Sequence, residues 1–137
     1  MILEMEALAR YPGAISFKYG DGPELNAEIL ALVRAGRKTV TSDAVANFAQ
    51  RGEPHPEPGR MDVALDWDGR PAVAVRTVAV EFISLDEMDE GRVGDQGEFR
   101  DLAHWRAGYQ AYLTRAGVFE PNIMMLVERF EVIEDFG

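Results

Sequence analysis

Between residues 25 and 33 the apolar positions Leu25, Ile29, Leu32 and Val33 recur at i, i+4, i+7 and i+8. That spacing lines one face of a helix. Pro23 suits its first position, Glu24 the positive end of its dipole, and Gly36 its C-terminal stop. A second helical face comes from Leu102, Trp105, Tyr109, Tyr112 and Leu113, with Asp101 as cap and Gly117 as stop. Strands show a different period. Met61, Val63, Leu65 and Trp67 alternate with other residues, as in a half-buried strand, and Asp68-Gly69 is a two-residue hairpin signal. On the returning strand Val73 and Val75 share one phase, and Val78, Val80 and Phe82 the other. The slip at Arg76-Thr77 predicts a bulge, and bulged strands bend enough to close small barrels.

The remaining pattern is shorter. Leu3 to Tyr11 reads as a short helix stopped by Pro12-Gly13. Lys38 to Ser42 reads as a strand, and Asp43 to Gln50 as a short helix capped by Asp43. Glu53 to Gly59 contains Pro54, Pro56 and Pro58 and predicts an extended loop. Leu85 to Glu90 predicts a helical turn, Gly91 to Gly97 a mobile Gly-rich acidic loop, and Ile123 to Ile133 a final strand. The resulting order is α, α, β, α, a β-hairpin, α, β. Strands this few and this adjacent do not make a doubly wound sheet, and GxGxxG and Walker motifs are absent. The expected class is α+β, a small mixed β-barrel flanked by helices.

Composition narrows the function classes. At 137 residues the chain fits one domain with a sizeable core. It has no cysteine, so thiolate metal sites are excluded, and His55 and His104 form no metal-binding pattern. No metal and no cofactor is expected. The acidic start Met1-Ile2-Leu3-Glu4-Met5-Glu6 lacks the cations of a signal peptide, and no segment has the apolar length of a membrane span. The expectation is a soluble cytoplasmic protein without a membrane partner. A formal net charge of −10 disfavours sequence-independent binding to duplex DNA, but not a local basic cleft or a small neutral ligand.

The densest chemistry is Gly36-Arg37-Lys38-Thr39-Val40-Thr41-Ser42. Extended geometry puts Lys38, Val40 and Ser42 on one side and Thr39 and Thr41 on the other. A twist at the helix-to-strand corner would let Lys38 and Thr41 converge, and an amine beside a hydroxyl can hold an oxyanion or activate a nucleophile. The competing reading is a strand start with a solvated Arg-Lys pair. Glu128 falls in phase with Leu126, Phe130 and Val132, so it is either a cleft-lining acid or an ion-pair partner of Arg76, Arg129 or Lys38. Glu98 stands before a helix start, which favours an ionised orienting or general-base carboxylate. Trp105, Tyr109 and Tyr112 fit core packing. Tyr19, in a turn beside Gly20, is the better stacking residue. His104 is assigned to the solvent side of its helix and His55 to an exposed loop.

Several of these segments together resemble the ASCH domain family, most closely its YhfF-like bacterial branch. They are Tyr19-Gly20-Asp21-Gly22-Pro23-Glu24-Leu25, Gly36 to Thr41, Gly52-Glu53-Pro54-His55-Pro56, Asp66 to Pro71, Trp105-Arg106 and Val127 to Val132. The resemblance runs over residues 15–134, leaving 1–14 as an N-terminal helical extension. It implies a PUA-like β-barrel flanked by helices, in a superfamily associated with RNA and modified nucleosides. Some bacterial members are amidohydrolases of N4-acetylcytidine, and another is reported as a ribonuclease. In the amidohydrolases the catalytic set is a Lys, a Thr three residues on and a downstream Glu. Lys38 and Thr41 match the first two. The Glu falls on Glu98 when counted back from the following helix, and on Gln96 when counted forward from Leu85-Asp86.

Three readings follow from the resemblance. One is a hydrolase that cleaves the amide of an N4-acetylcytidine-like nucleoside. Lys38, Thr41 and Glu98 would be catalytic, and Tyr19, Arg37, Ser42 and Glu128 would contact substrate. The second is a ribonuclease acting on single-stranded RNA, with Lys38 and Arg37 stabilising phosphorane charge. The third is a non-catalytic module that binds RNA or a nucleoside. The sequence leaves substrate, pathway and oligomeric state open.

Overall fold

The computed structural model describes residues 2–137, so Met1 lies outside the described residues. Five strands form one sheet in the order β1-β3-β4-β5-β2. They are β1 (Ser16–Lys18), β2 (Val40–Ala44), β3 (Met61–Leu65), β4 (Pro71–Ser84) and β5 (Met124–Asp135). β1 pairs parallel to β3, and the other pairings are antiparallel. The sheet curls into a half-barrel with β1 and β2 as its edges, and five helices surround it in an α+β, PUA-like arrangement. The helices are α1 (Glu4–Arg10), α2 (Pro23–Arg34), α3 (Val45–Arg51), α4 (Glu90–Gln96) and α5 (Leu102–Arg115). No helix among the described residues is long and apolar enough to cross a membrane.

Both faces of the sheet are covered. On the concave face, Ile29, Leu30 and Val33 of α2 pack with Tyr19, Val73, Val75 and Phe130. On the other, Trp105 and Leu113 of α5 and Val93 of α4 pack on Val40, Ala44, Met125 and Val127. A smaller cluster seats Ala7 of α1 on Val63 and Leu65. β4 shifts register against β5 at Ala74/Val75 and at Thr77/Ala79, the second beside the expected slip, and these shifts let a long strand bend around the core.

Several local expectations change. The buried face of α2 is Asn26, Ile29, Leu30 and Val33, while Leu25 is exposed. Asn26 replaces Leu25 because its amide donates to Tyr19 O at 2.9 Å and Leu65 O at 3.3 Å, tying α2 to the sheet. β3 is buried almost throughout rather than on alternate residues, since α1 covers its second side. The hairpin loop is longer than Asp68-Gly69: Asp66 N donates to Arg70 O, and Asp66 Oδ1 accepts from Arg70 N. The segment expected to be a mobile loop is α4. Asp89 caps it by accepting from Arg92 N, Val93 is buried, and Gly97 closes it at φ +79°. Asp43 sits one residue too early to be the N-cap of α3. Its Oδ1 nevertheless accepts from Ala44 N and Asn47 Nδ2, both at 2.8 Å.

Candidate functional site

The site begins where α2 ends. Gly36 takes φ +73°, and the amides of Arg37 and Lys38 both turn back to Leu32 O, so the chain reverses into β2 within three residues. Arg37 is thrown outward and is exposed, whereas Lys38 is only 3% exposed. The Arg-Lys pair is therefore split between solvent and interior, against the reading of a solvated pair.

The Lys38 ammonium has three acceptors. Nζ donates to Val40 O at 2.8 Å, to Gln96 O at 3.3 Å and to the Glu98 carboxylate. Three acceptors for three N–H protons describe a protonated lysine. Phe130 N donates to Thr39 O, so residue 39 pairs inward and the Val40 carbonyl points to the free edge of β2. Lys38 thus caps an edge carbonyl that has no strand partner. Burial pulls the Lys38 pKa below its ordinary value. The charge of Glu98 and its hydrogen bond oppose that pull without cancelling it.

Glu98 is delivered by the turn between α4 and α5. That turn docks on the α2–β2 corner through Thr39 N to Asp95 O at 2.9 Å and the Arg129–Asp95 ion pair. Gly97 makes the approach possible: a Cβ there would lie 2.7 Å from Arg37 O. Of the two positions left open for the third partner, Glu98 meets Lys38 with its carboxylate. Gln96 meets it with its backbone carbonyl, and its side-chain Oε1 faces Ser42 Oγ at 3.3 Å.

β2 divides the remaining residues between two faces. Val40, Ser42 and Ala44 face α4 and α5. Ser42 is buried, with Oγ 3.2 Å from Tyr109 Oη, and Tyr109 donates to Ser42 O at 2.8 Å. Thr41 faces the concave side, directly across from Glu128 in register. Lys38 Nζ makes no hydrogen bond to Thr41, and the Thr41 hydroxyl has no partner among the described residues. Glu128 takes none of the expected ion-pair partners. Arg76 pairs with Glu131, Arg129 with Asp95, and Lys38 with Glu98. Its Oε2 accepts from Thr77 Oγ1 at 2.7 Å. Burial raises the Glu128 pKa, nearby Asp62 adds to the rise, and Thr77 and Arg60 oppose it.

Tyr19 is not an exposed stacking platform. It is 7% exposed, edge-on to Phe17 with ring centroids 4.9 Å apart, and part of the concave core. Its pKa is pushed well up by burial and by the fields of Glu128, Glu98 and Asp62. One phenol is therefore within electrostatic reach of both carboxylates. Its hydroxyl has no hydrogen-bond partner, yet the only fully sealed unpartnered side-chain atoms among the described residues are Gln96 Nε2 and Trp105 Nε1. The Tyr19 hydroxyl is therefore not fully sealed from solvent. His104 Nδ1 accepts from Arg100 N, and His55 is exposed between the rings of Phe48 and Phe82. No metal-binding cluster occurs among the described residues.

The comparisons with known proteins agree with this fold. The ASCH domain family model matches residues 14–134. The chain belongs to the ASCH domain family. Among solved structures, a protein of Enterococcus faecalis V583 is 23% identical, covering 94% of this chain and 84% of its own at a TM-score of 0.79. An ASCH domain from Lactobacillus crispatus JV V101 is 20% identical, covering 95% and 86% at a TM-score of 0.77. ASCH from Zymomonas mobilis is more distant: 14% identical, 89% and 70% covered, at a TM-score of 0.53. At these identities the likeness concerns the ASCH fold. No curated protein matches. The PUA-like fold of this ASCH domain points to an RNA-related role.

Proposed function

We propose that this ASCH domain is a hydrolase acting on the amide of a modified nucleoside of the N4-acetylcytidine type. Thr41 is the nucleophile, Lys38 holds the oxyanion and Glu98 positions Lys38. The observation that carries the reading is the buried Lys38–Glu98 pair, with an unpartnered threonine hydroxyl three residues further along the chain. A protonated Lys38 is suited to charge stabilisation rather than to taking the threonine's proton. Its longest bond, to Gln96 O, is the one a developing oxyanion displaces. Tyr19 lies within electrostatic reach of Glu128 and Glu98, and Arg37 stands exposed next to Lys38 in the chain. Ser42, engaged with Tyr109 and Gln96, supports β2 from behind.

A neutral nucleoside suits a chain of net charge −10 better than a polyanion does. Purified protein incubated with N4-acetylcytidine should release acetate, and Lys38→Ala should abolish the release. No turnover by the wild type, or undiminished turnover by Lys38→Ala, overturns the proposal.

A further inference from the structure

We propose that Glu128 is the general base that takes the proton of the Thr41 hydroxyl, directly or through one water. The proposal rests on the amide-hydrolase reading above and supplies the base which that reading lacks.

Four observations converge on it. Lys38 has all three N–H groups donated and no vacancy for a further proton. Thr41 and Glu128 are register partners on the concave face. Pairing inward at Thr39 makes 41/128 a hydrogen-bonded pair as well, with Cα atoms about 5.5 Å apart and side chains on one side. Each brings an unpartnered atom: the Thr41 hydroxyl has no acceptor, and Glu128 Oε1 has no donor among the described residues. Finally, no cation pairs with Glu128. Arg60, whose charge reaches Glu128, is held by Asp62 with Nη2 at 2.8 Å. A carboxylate with no cation partner and little water keeps its basicity. Thr77 fixes Oε2 and so leaves Oε1 for the reaction.

The step balances as acyl transfer. Glu128 Oε1 takes the Thr41 proton while Oγ1 bonds to the amide carbon and the carbonyl π pair moves onto oxygen beside Lys38. Collapse restores the carbonyl and breaks the C–N bond, and the leaving amine takes the proton from the Glu128 carboxylic acid. Water then attacks the threonyl ester, gives a proton to Glu128 and frees the carboxylic acid. Thr41 Oγ1 regains its proton.

The groups facing Glu128 are Thr77 from β4, Asp62 from β3, Arg60 from the preceding loop, and Tyr19 from the segment before α2. The charge of Glu98, like that of Glu128, reaches Tyr19. Burial first, and the charge of Asp62 after it, act to keep Glu128 protonated, so the acidic limb of the rate profile should lie above the ordinary carboxylate value.

Glu128→Gln keeps the Thr77 hydrogen bond and removes only the basicity. Acetate release should fall by about 10²-fold or more in kcat with little change in KM, and the acidic limb should vanish. A Glu128→Gln enzyme within about threefold of wild type, or one slower but with its acidic limb intact, assigns the base elsewhere. A second readout needs no turnover. The side-chain carboxyl of Glu128, titrated by 13C NMR, should shift its pKa upward in Thr41→Val, because the ionised form loses the hydroxyl that the proposal sets against Oε1, directly or through one water. An unchanged titration shows that the two groups do not meet and overturns the proposal. If that coupling is present and wild-type protein releases no acetate, the amide reading fails while the pairing stands.

Discussion

Lys38 and Glu128 are both held against their solution preferences, in opposite directions. The Lys38 pKa lies below 10.5, so between its folded value and 10.5 the unfolded chain binds more protons. Stability therefore rises with pH through that window. The Glu128 pKa lies above 4.5, so between 4.5 and its folded value the folded chain binds more protons. Its contribution is full below 4.5 and is lost as pH rises through the folded value. Above its folded value the ionised Glu128 thus costs the fold stability. Glu128→Gln should raise the melting temperature at about pH 7 and leave it unchanged near about pH 4, where both states are protonated. Scanning calorimetry of the two proteins at the two pH values checks this. An equal gain at both values would trace the effect to packing rather than ionisation. The same substitution is thus expected to stabilise the molecule and slow it, which is how a functional carboxylate differs from a structural one.

The α4–α5 turn is the element that makes the site, and it is also the part least legible in the chain. The long periodic pieces were readable: α2, α5, the β3–β4 hairpin and the bulge beside Thr77 all announce themselves by spacing. α4 does not, because Gly91 and Gly94 lie inside it and Asp95 near its end. Its order comes from Val93 buried in the core and from Asp89 at its cap. β1 is three residues long, too short for any period to register, and exists through its pairing with β3. The Lys-Thr pair was visible in the sequence as two residue types near each other. That Lys38 would turn to the strand edge and Thr41 to the concave face depends on β2 being an edge strand, which only the topology decides. Gly97 is the hinge of this arrangement. Ala at that position meets a positive φ and the Arg37 carbonyl at 2.7 Å. Gly97→Ala should destabilise the fold by roughly 1–3 kcal/mol and pull Glu98 away from Lys38, lowering kcat as well. Denaturant melts and acetate release on the same sample test both halves. Full activity in a folded Gly97→Ala protein would mean that Glu98 does not depend on the docked turn.

At the scale of the whole molecule, charge and fold pull in different directions. The PUA-like architecture is associated with RNA, yet the chain carries 24 acidic against 14 basic residues. The basic residues around the site are mostly committed, Lys38 to Glu98 and Arg129 to Asp95, and Arg92 beyond them to Glu81. Arg37 is exposed and has no side-chain ion pair among the described residues. Proteins that engage RNA through phosphates release counterions on binding and lose affinity steeply with added salt. A surface of net negative charge repels the polyanion instead, and salt screens the repulsion. The acetylated nucleoside should therefore be turned over with a kcat/KM at least equal to that of the same base inside a short single-stranded oligoribonucleotide. Raising salt from about 50 to about 200 mM should leave the nucleoside rate flat and hold or raise the oligonucleotide rate. A steep fall of the oligonucleotide rate over that range would mean that Arg37 and its neighbours grip phosphates. It would move the preferred substrate from the free nucleoside to the RNA strand.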